Sequence, residues 1–182
     1  MIQHGARRIQ DRVREMADSV KGLTRLPEFA PCRIADIVSG VYKTLRILAD
    51  ERQVVLRVDG LETLPIIQAD ESRLFNAIYN LVNNAISEVP PGGSVTVRGR
   101  PDPAGKNVCL SVIDTGKGMP PEVRASLFTY RAISRKVGGT GLGTKIVKDV
   151  IDAHGGTIIV ESQQGVGTSF HITLPVEGPV VS

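Results

Sequence analysis

Two short polar turns constrain the fold of this chain more than any other feature. DPAGK at 102–106 separates SVTVRGR from NVCLSVID, and QQGVG at 163–167 separates TIIVES from TSFHITL. The flanking runs alternate apolar and polar residues, the period-two signature of half-buried strands. A parallel return needs a crossover of roughly a dozen residues or more, so strands joined by turns this short pair antiparallel. Upstream, Ile34, Ile37, Val38, Val41, Leu45 and Leu48 recur in the three- and four-residue steps of an amphipathic helix ending near Arg52. VVLRV at 54–58 is a β-branched run and reads as a strand. Asp70 opens a second helix with Leu74, Ile78, Leu81, Val82 and Ala85 inward, and the Pro90-Pro91-Gly92-Gly93 turn stops it. Pro120 and Pro121 start a short helix through Leu127, and a helix from about Thr144 to His154 stops at Gly155-Gly156. The order helix, strand, helix, hairpin, helix, hairpin is not strict βαβ alternation. It predicts a mixed, largely antiparallel sheet with helices on one face.

The first residues obey a different rule. Ile2, Ala6, Ile9, Val13, Met16, Val20 and Leu23 form a heptad seam among Arg, Gln, Asp, Glu and Lys, so this helix needs a partner helix or its own domain to cover the stripe. Two prolines in TRLPEFAP, 24–31, break the pattern, which sets the boundary between an N-terminal helix with its linker, 1–29, and the main domain, 30–182. Hydrophobic residues make up 41% and charged residues 23% of the 182, a globular composition that excludes a long disordered or fibrous chain. No stretch approaches the roughly 18 consecutive apolar residues of a membrane span, and the charged N-terminus is unlike a secretory signal. Cys32 and Cys109 stand far apart without metal-ligand spacing, which fits a reducing cytoplasm. A net charge of +3 with 4% aromatics and no Trp is a poor footprint for nucleic acid.

Three stretches carry chemistry. Asn76, Asn80 and Asn84 recur every four residues, so their amides line one stripe of the helix. Amide oxygens are hard, neutral ligands suited to magnesium shared with substrate phosphates, although a solvated helix face would carry the same residues. In VIDTGKGMP a strand ends in Asp114 and enters a turn with Gly116 and Gly118, which suits recognition of a base amino group and also suits an ordinary turn. In GGTGLGTKIV, Gly139, Gly141 and Gly143 leave backbone amides open where a helix begins, an anion site for a polyphosphate. The spacing is neither a Walker motif nor a dinucleotide fingerprint.

In this order and separation the motifs resemble the ATP-binding catalytic domain of sensor histidine kinases, a branch of the superfamily shared with gyrase, Hsp90 and MutL. DESRLFNAIYNLVNNAI resembles its asparagine box and VIDTGKGMP its first glycine box; GTGLGTKIVKDVIDAHGGTIIVES with GTSFHITLP resembles the second glycine box and closing hairpin. The resemblance covers about 31–175 and implies a Bergerat-type two-layer α/β sandwich, preceded here by a helix from a dimerisation hairpin. It implies ATP and Mg2+ as ligands, with Asn80 and Asn84 on magnesium and phosphate and Asn76 beside them in the cofactor site. It implies that Asp114 bonds the adenine amino group and that Gly116 and Gly118 shape its pocket. Gly139, Thr140, Gly141, Leu142, Gly143 and Thr144 would hold the triphosphate beneath a short lid at 129–140, with Thr168 of the closing hairpin completing the site and Phe128 preceding the lid.

The departures are informative. Many members carry Lys or Arg where this chain has Ser87, leaving Arg131, Arg135, Lys136 or Lys145 as substitutes for that phosphate contact, and Thr144-Lys145 replaces the usual apolar residue after the last glycine. The gyrase and Hsp90 branch places a glutamate base at the position of Asn80, and an asparagine cannot take a proton. That favours phosphoryl transfer to a protein histidine over hydrolysis, with no catalytic acid or base in the chain itself. His4 lacks the acidic residue and Arg-Thr-Pro-like context of a phosphoacceptor, while His154 and His171 read as structural. The expectation is therefore a cytoplasmic piece of a longer kinase, whether or not the parent is anchored in a membrane, whose partners are its own phosphoacceptor helix, a response regulator receiver domain and a second copy through 1–26. The alternatives are an anti-sigma-type serine kinase and a nucleotide-binding scaffold that signals by contact alone.

Overall fold

The alternation around the two polar turns becomes four of the strands of a five-stranded sheet. The computed structural model describes residues 26–128 and 143–179. In chain order the elements are β1 Ala30–Cys32, α1 Ile34–Glu51, β2 Val55–Asp59, a 3-10 turn Leu61–Thr63, β3 Ile67–Ala69, α2 Glu71–Glu88, β4 Ser94–Pro101 and β5 Asn107–Asp114. They continue with α3 Pro121–Ser126, α4 Gly143–Ala153, β6 Thr157–Gln163 and β7 Gly167–Pro175. The sheet order is β2-β4-β5-β7-β6; β2 and β4 run parallel, and the other neighbours are antiparallel. The parallel pair requires a long crossover, and α2 supplies it.

One face of the sheet is apolar and covered. Val95 and Val97 of β4, Val108, Leu110 and Val112 of β5, Ile158 of β6, and Phe170, Ile172 and Leu174 of β7 are all buried with the inward residues of α1, α2 and α4. The residues of opposite parity, such as Thr96, Ser111 and His171, are only half-buried. The expected mixed sheet with helices on one face is thus what forms. Every residue of α2 expected to point inward is buried, joined by Ala77 and Ile86, and on α1 Ala49 is buried beyond the expected set while Leu48 packs at its margin. Among the described residues no helix is long and apolar enough to cross a membrane. The seam at residues 2–23 and the dimer contact expected of it lie outside the described residues.

Three elements go beyond the sequence reading: the 3-10 turn and the two three-residue strands, β1 and β3, which pair antiparallel as a separate ribbon. Pro31, expected to end structure, sits inside β1, which is tolerated because β1 has a neighbour on one side only. This ribbon draws the end of the linker onto the domain, and Asp70, the N-cap of α2, holds it there. Asp70 Oδ1 accepts the Arg73 N–H at 3.0 Å, a cap worth about 1 kcal/mol. Its Oδ2 accepts the Glu28 N–H at 3.0 Å and lies 3.4 Å from the Arg73 guanidinium. The Asp70 N–H donates to His154 Nε2 at 3.0 Å, and His154 Nδ1 lies 2.7 Å from the Val150 carbonyl. Because Nε2 must accept, the Nδ1–H donates, and the imidazole is neutral. The ring of Phe29 stands edge-on to it at 5.2 Å.

His154 is 1% exposed, and burial pushes its pKa below the ordinary imidazole value. The folded state therefore refuses a proton that the unfolded state takes up below about pH 6.5, so this histidine's contribution to stability is complete above that pH and is lost as pH falls. In urea denaturation at several pH values, His154→Gln should lower stability by about 1–3 kcal/mol at pH 7.5 and show a shallower decline between about pH 6.5 and 5 than the parent chain.

Candidate functional site

Asp114 ends β5 in the same register that buries Val108, Leu110 and Val112, so strand alternation carries a carboxylate onto the covered face of the sheet. It is 8% exposed. Its Oδ1 accepts the Gly116 N–H at 2.8 Å and the Thr168 N–H at 3.2 Å, while Oδ2 meets no protein donor among the described residues. Burial, the largest influence, pushes the carboxyl above its usual range; the Gly116 and Thr168 amides oppose the shift and Glu88 adds to it. Asp114 is thus a buried carboxylate with one oxygen satisfied within the protein and the other without a protein donor among the described residues.

Both glycines of the turn after Asp114 are required by contact. A Cβ on Gly116 would lie 2.8 Å from Asp114 Oδ1 and 2.8 Å from the Glu88 carbonyl oxygen. Gly118 has φ +66°, and a Cβ there would fall 2.0 Å from the Gln163 carbonyl oxygen. The Lys117 N–H reaches the Glu88 carbonyl at 3.4 Å, and the Gly165 N–H donates to the Lys117 carbonyl at 2.7 Å. The turn is thus held between the end of α2 and the β6–β7 hairpin.

One helical turn before Glu88, Asn84 faces the start of α4, where a Cβ on Gly143 would lie 3.8 Å from Asn84 Nδ2. Asn76, Asn80 and Asn84 are all half-buried. Their stripe is therefore the margin of a packed helix rather than a fully solvated face. The structure thus brings Asn84, Gly116, Gly143 and Asp114 around the C-terminal half of α2, with Gly118 and Thr168 on the hairpin side. Thr144 is half-buried in the first turn of α4. Gly139, Thr140, Gly141 and Leu142, together with the lid expected at 129–140, lie outside the described residues.

Other expectations resolve individually. Ser87 donates its hydroxyl to the Asn83 carbonyl at 2.8 Å, within its own helix. Lys145 forms an ion pair with Asp149 one turn along α4, and Lys117 pairs with Glu88 at 2.6 Å beside the first glycine turn. Phe128, with φ 65°, packs edge-on against Phe170 at 6.2 Å, so this half-buried aromatic rests against the core. His171 sits in β7 with Nδ1 2.9 Å from the Ser111 hydroxyl and Nε2 3.6 Å from a Glu161 carboxylate oxygen. A separate open cleft of about 430 Å³, lined by Tyr42, Arg46, Asp50 and the start of β2, contains none of the motif residues. Sequence reasoning missed Ser162, whose hydroxyl accepts the Met119 N–H at 2.8 Å and lies 2.9 Å from the Thr168 hydroxyl. Its parity with Ile158 and Val160 in β6 was the available signal.

Residues 69–178 match the family model described as histidine kinase-, DNA gyrase B-, and HSP90-like ATPase. The chain is 35% identical over 177 residues to the sensor-like histidine kinase SenX3 of Mycobacterium bovis, covering 93% of this chain and 42% of that protein. It therefore spans less than half the length of that relative. Among solved structures, a mycobacterial sensor histidine kinase, MprB, is similar with a TM-score of 0.68 and 30% identity, over 84% of this chain and all of that one. Full-length ShkA in complex with AMPPNP is similar with a TM-score of 0.74 and 29% identity, over 86% of this chain and 33% of that one.

Two substitutions separate folding from binding at this site. Gly118→Ala forces a side chain into a left-handed backbone and against the Gln163 carbonyl, so it should cost about 2 kcal/mol or more in chemical denaturation. Asp114→Asn should behave oppositely. Because its folded pKa is raised, the parent loses stability as pH rises through that pKa, and the cost persists at neutrality. Removing the charge should leave the thermal midpoint at pH 7 unchanged or higher, measured by differential scanning calorimetry.

Proposed function

The chain belongs to the family of histidine kinase-, DNA gyrase B- and HSP90-like ATPases, and from that premise we propose that it is the ATP-binding catalytic domain of a two-component sensor histidine kinase. It transfers the γ-phosphoryl group of ATP to a histidine on a dimerisation helix outside this chain, for relay to the receiver domain of a response regulator in the cytoplasm. The observation that carries the reading is Asp114: a buried carboxylate whose Oδ1 is consumed by Gly116 and Thr168 and whose Oδ2 is left for a donor. An adenine amino group is such a donor, whereas the carbonyl of guanine in the same place would face a like dipole. The names of SenX3 and MprB, both sensor histidine kinases, and the AMPPNP bound in ShkA support the same reading.

The chain's own residues do little covalent work in this reaction. Gly116 and Gly118 let backbone close around the base, and the amides at the start of α4, with Gly143 against Asn84, face the phosphates as the positive end of a helix. Two asparagine amides, Asn80 and Asn84, would hold magnesium, the remaining ligands being water and phosphate oxygens. Magnesium supplies charge neutralisation on the phosphates. The acceptor imidazole is the nucleophile: its nitrogen forms the new bond to phosphorus as the bond to the β-phosphate oxygen breaks and ADP departs. Asn80 cannot take a proton from water, which suppresses hydrolysis in favour of that transfer.

Titration calorimetry of this chain with a non-hydrolysable ATP analogue tests the proposal. Binding should depend on magnesium, and Asn84→Ala should remove much of that dependence. Asp114→Asn should weaken binding by about tenfold or more, since its amide keeps the Gly116 and Thr168 bonds only by presenting an N–H to the amino group. With ATP and the phosphoacceptor helices of the parent kinase supplied in trans, label should pass to their histidine. A folded chain that binds no nucleotide overturns the proposal.

A further inference from the structure

Asp114, Thr168 and Ser162 lie in one row across three adjacent strands, for Asp114 pairs with Thr168 in the β5–β7 ladder and Thr168 with Ser162 in the β7–β6 ladder. The row ends at Asp114, the residue read above as the base contact, and is anchored at its other end by Ser162, which is half-buried. Ser162 Oγ has three neighbours: the Met119 N–H at 2.8 Å, the Gly167 carbonyl oxygen at 3.1 Å and Thr168 Oγ1 at 2.9 Å. Thr168 is 7% exposed, and its hydroxyl meets no other group among the described residues.

A serine hydroxyl owns one proton and accepts two. The Met119 N–H takes one acceptor position. If Ser162 donated to Thr168, the Gly167 carbonyl would lose this donor and the second acceptor position of Ser162 would stay empty. If Ser162 donates to Gly167, Thr168 donates to Ser162 and all three contacts are made at once. Satisfaction of a buried network selects the second arrangement. Thr168 then has no proton left and can offer a ligand only lone pairs, the same polarity as Asp114 Oδ2.

We infer that Ser162 is a positioning residue for nucleotide selectivity: by taking the Thr168 proton it fixes that hydroxyl as an acceptor, so that the row reads a base through its donors. This rests on the nucleotide reading above and deepens it. The ligand class is a purine nucleotide with an amino group on its six-membered ring at the position where guanine has a carbonyl. Ser162 also ties Met119 at the end of the first glycine turn to the β6–β7 hairpin, so its hydroxyl sets both where the turn lies and what the row presents.

The test is calorimetry of the whole chain with non-hydrolysable ATP and GTP analogues, on the parent, Ser162→Ala and Ser162→Thr, with thermal midpoints alongside. Ser162→Ala returns the proton to Thr168, which can then donate to a guanine carbonyl. Affinity for the ATP analogue should fall about fivefold, and the ATP-over-GTP preference should narrow by at least about threefold. Ser162→Thr keeps the hydroxyl and should restore both. A merely structural serine would weaken the two analogues equally, and that result, or a Ser162→Ala chain with the parent's affinity and preference, overturns the inference while leaving nucleotide binding intact. If Ser162→Ala fails to fold, a Ser162→Thr chain whose preference departs from the parent's overturns it, and one that keeps the preference supports it. A folded parent that binds neither analogue overturns the nucleotide reading itself.

Discussion

Every polar group of Asp70 is committed, and the geometry of the site depends on that residue. Its N–H goes to His154, its carbonyl accepts Leu74, one carboxylate oxygen caps α2 and the other takes the Glu28 amide beside Arg73. A single residue thereby fixes the start of α2, the end of α4 and the incoming linker against one another. The consequence is felt at the far end of α2, where Glu88 seats the first glycine turn and Asn84 faces Gly143. An aspartate whose ion pair is buried and fully hydrogen-bonded contributes little net attraction, but removing either partner leaves an uncompensated charge at about 3–5 kcal/mol. Beyond the cap it supplies, it registers two helices against each other.

What the chain disclosed before its structure follows from how each element is encoded. Helices α1 and α2 repeat their apolar residues over several turns, and the hairpins repeat theirs over long alternating runs, so periodicity reached them and the sheet's mixed character. Strands of three residues, APC and IQA, contain no repeat to detect, and Pro31 reads as a breaker unless one knows that β1 is an edge. The site divides in the same way. The positions of Asn84, Asp114, Gly116, Gly118 and Gly143 were legible because glycine and asparagine are conspicuous in elements that do not favour them. Ser162 was not, because a serine closing a strand is ordinary, and its importance lies in a register with Thr168 that no single run of sequence displays. The ion pairing of Lys145 with Asp149 was similarly out of reach, since an i, i+4 Lys and Asp on one helix face pair only if their rotamers converge, which the sequence does not display.

The pocket also shows where binding and folding pull apart. Strand alternation that buries three apolar residues of β5 buries Asp114 as well, and burial opposes its charge. The amides of Gly116 and Thr168 offset part of this, but they converge on one oxygen and leave the other unmatched. A more stable domain would carry a neutral residue there. Burial of this charge is thus a cost the fold carries at the end of β5, and only part of it is offset by the two amides.

The place of β7 in the sheet has a bearing on biosynthesis. It is the most C-terminal of the strands described, yet it lies between β5 and β6 in the sheet's interior, and it contributes Thr168 to the row that joins Asp114 to Ser162. A nascent chain that has made everything through β6 still lacks the strand that joins β6 to the rest of the sheet, and its Asp114 lacks the Thr168 amide. The second amide partner of Asp114 therefore arrives only with the long-range pairing of β5 with β7, so the carboxylate's surroundings are completed by the last of these strands to leave the ribosome.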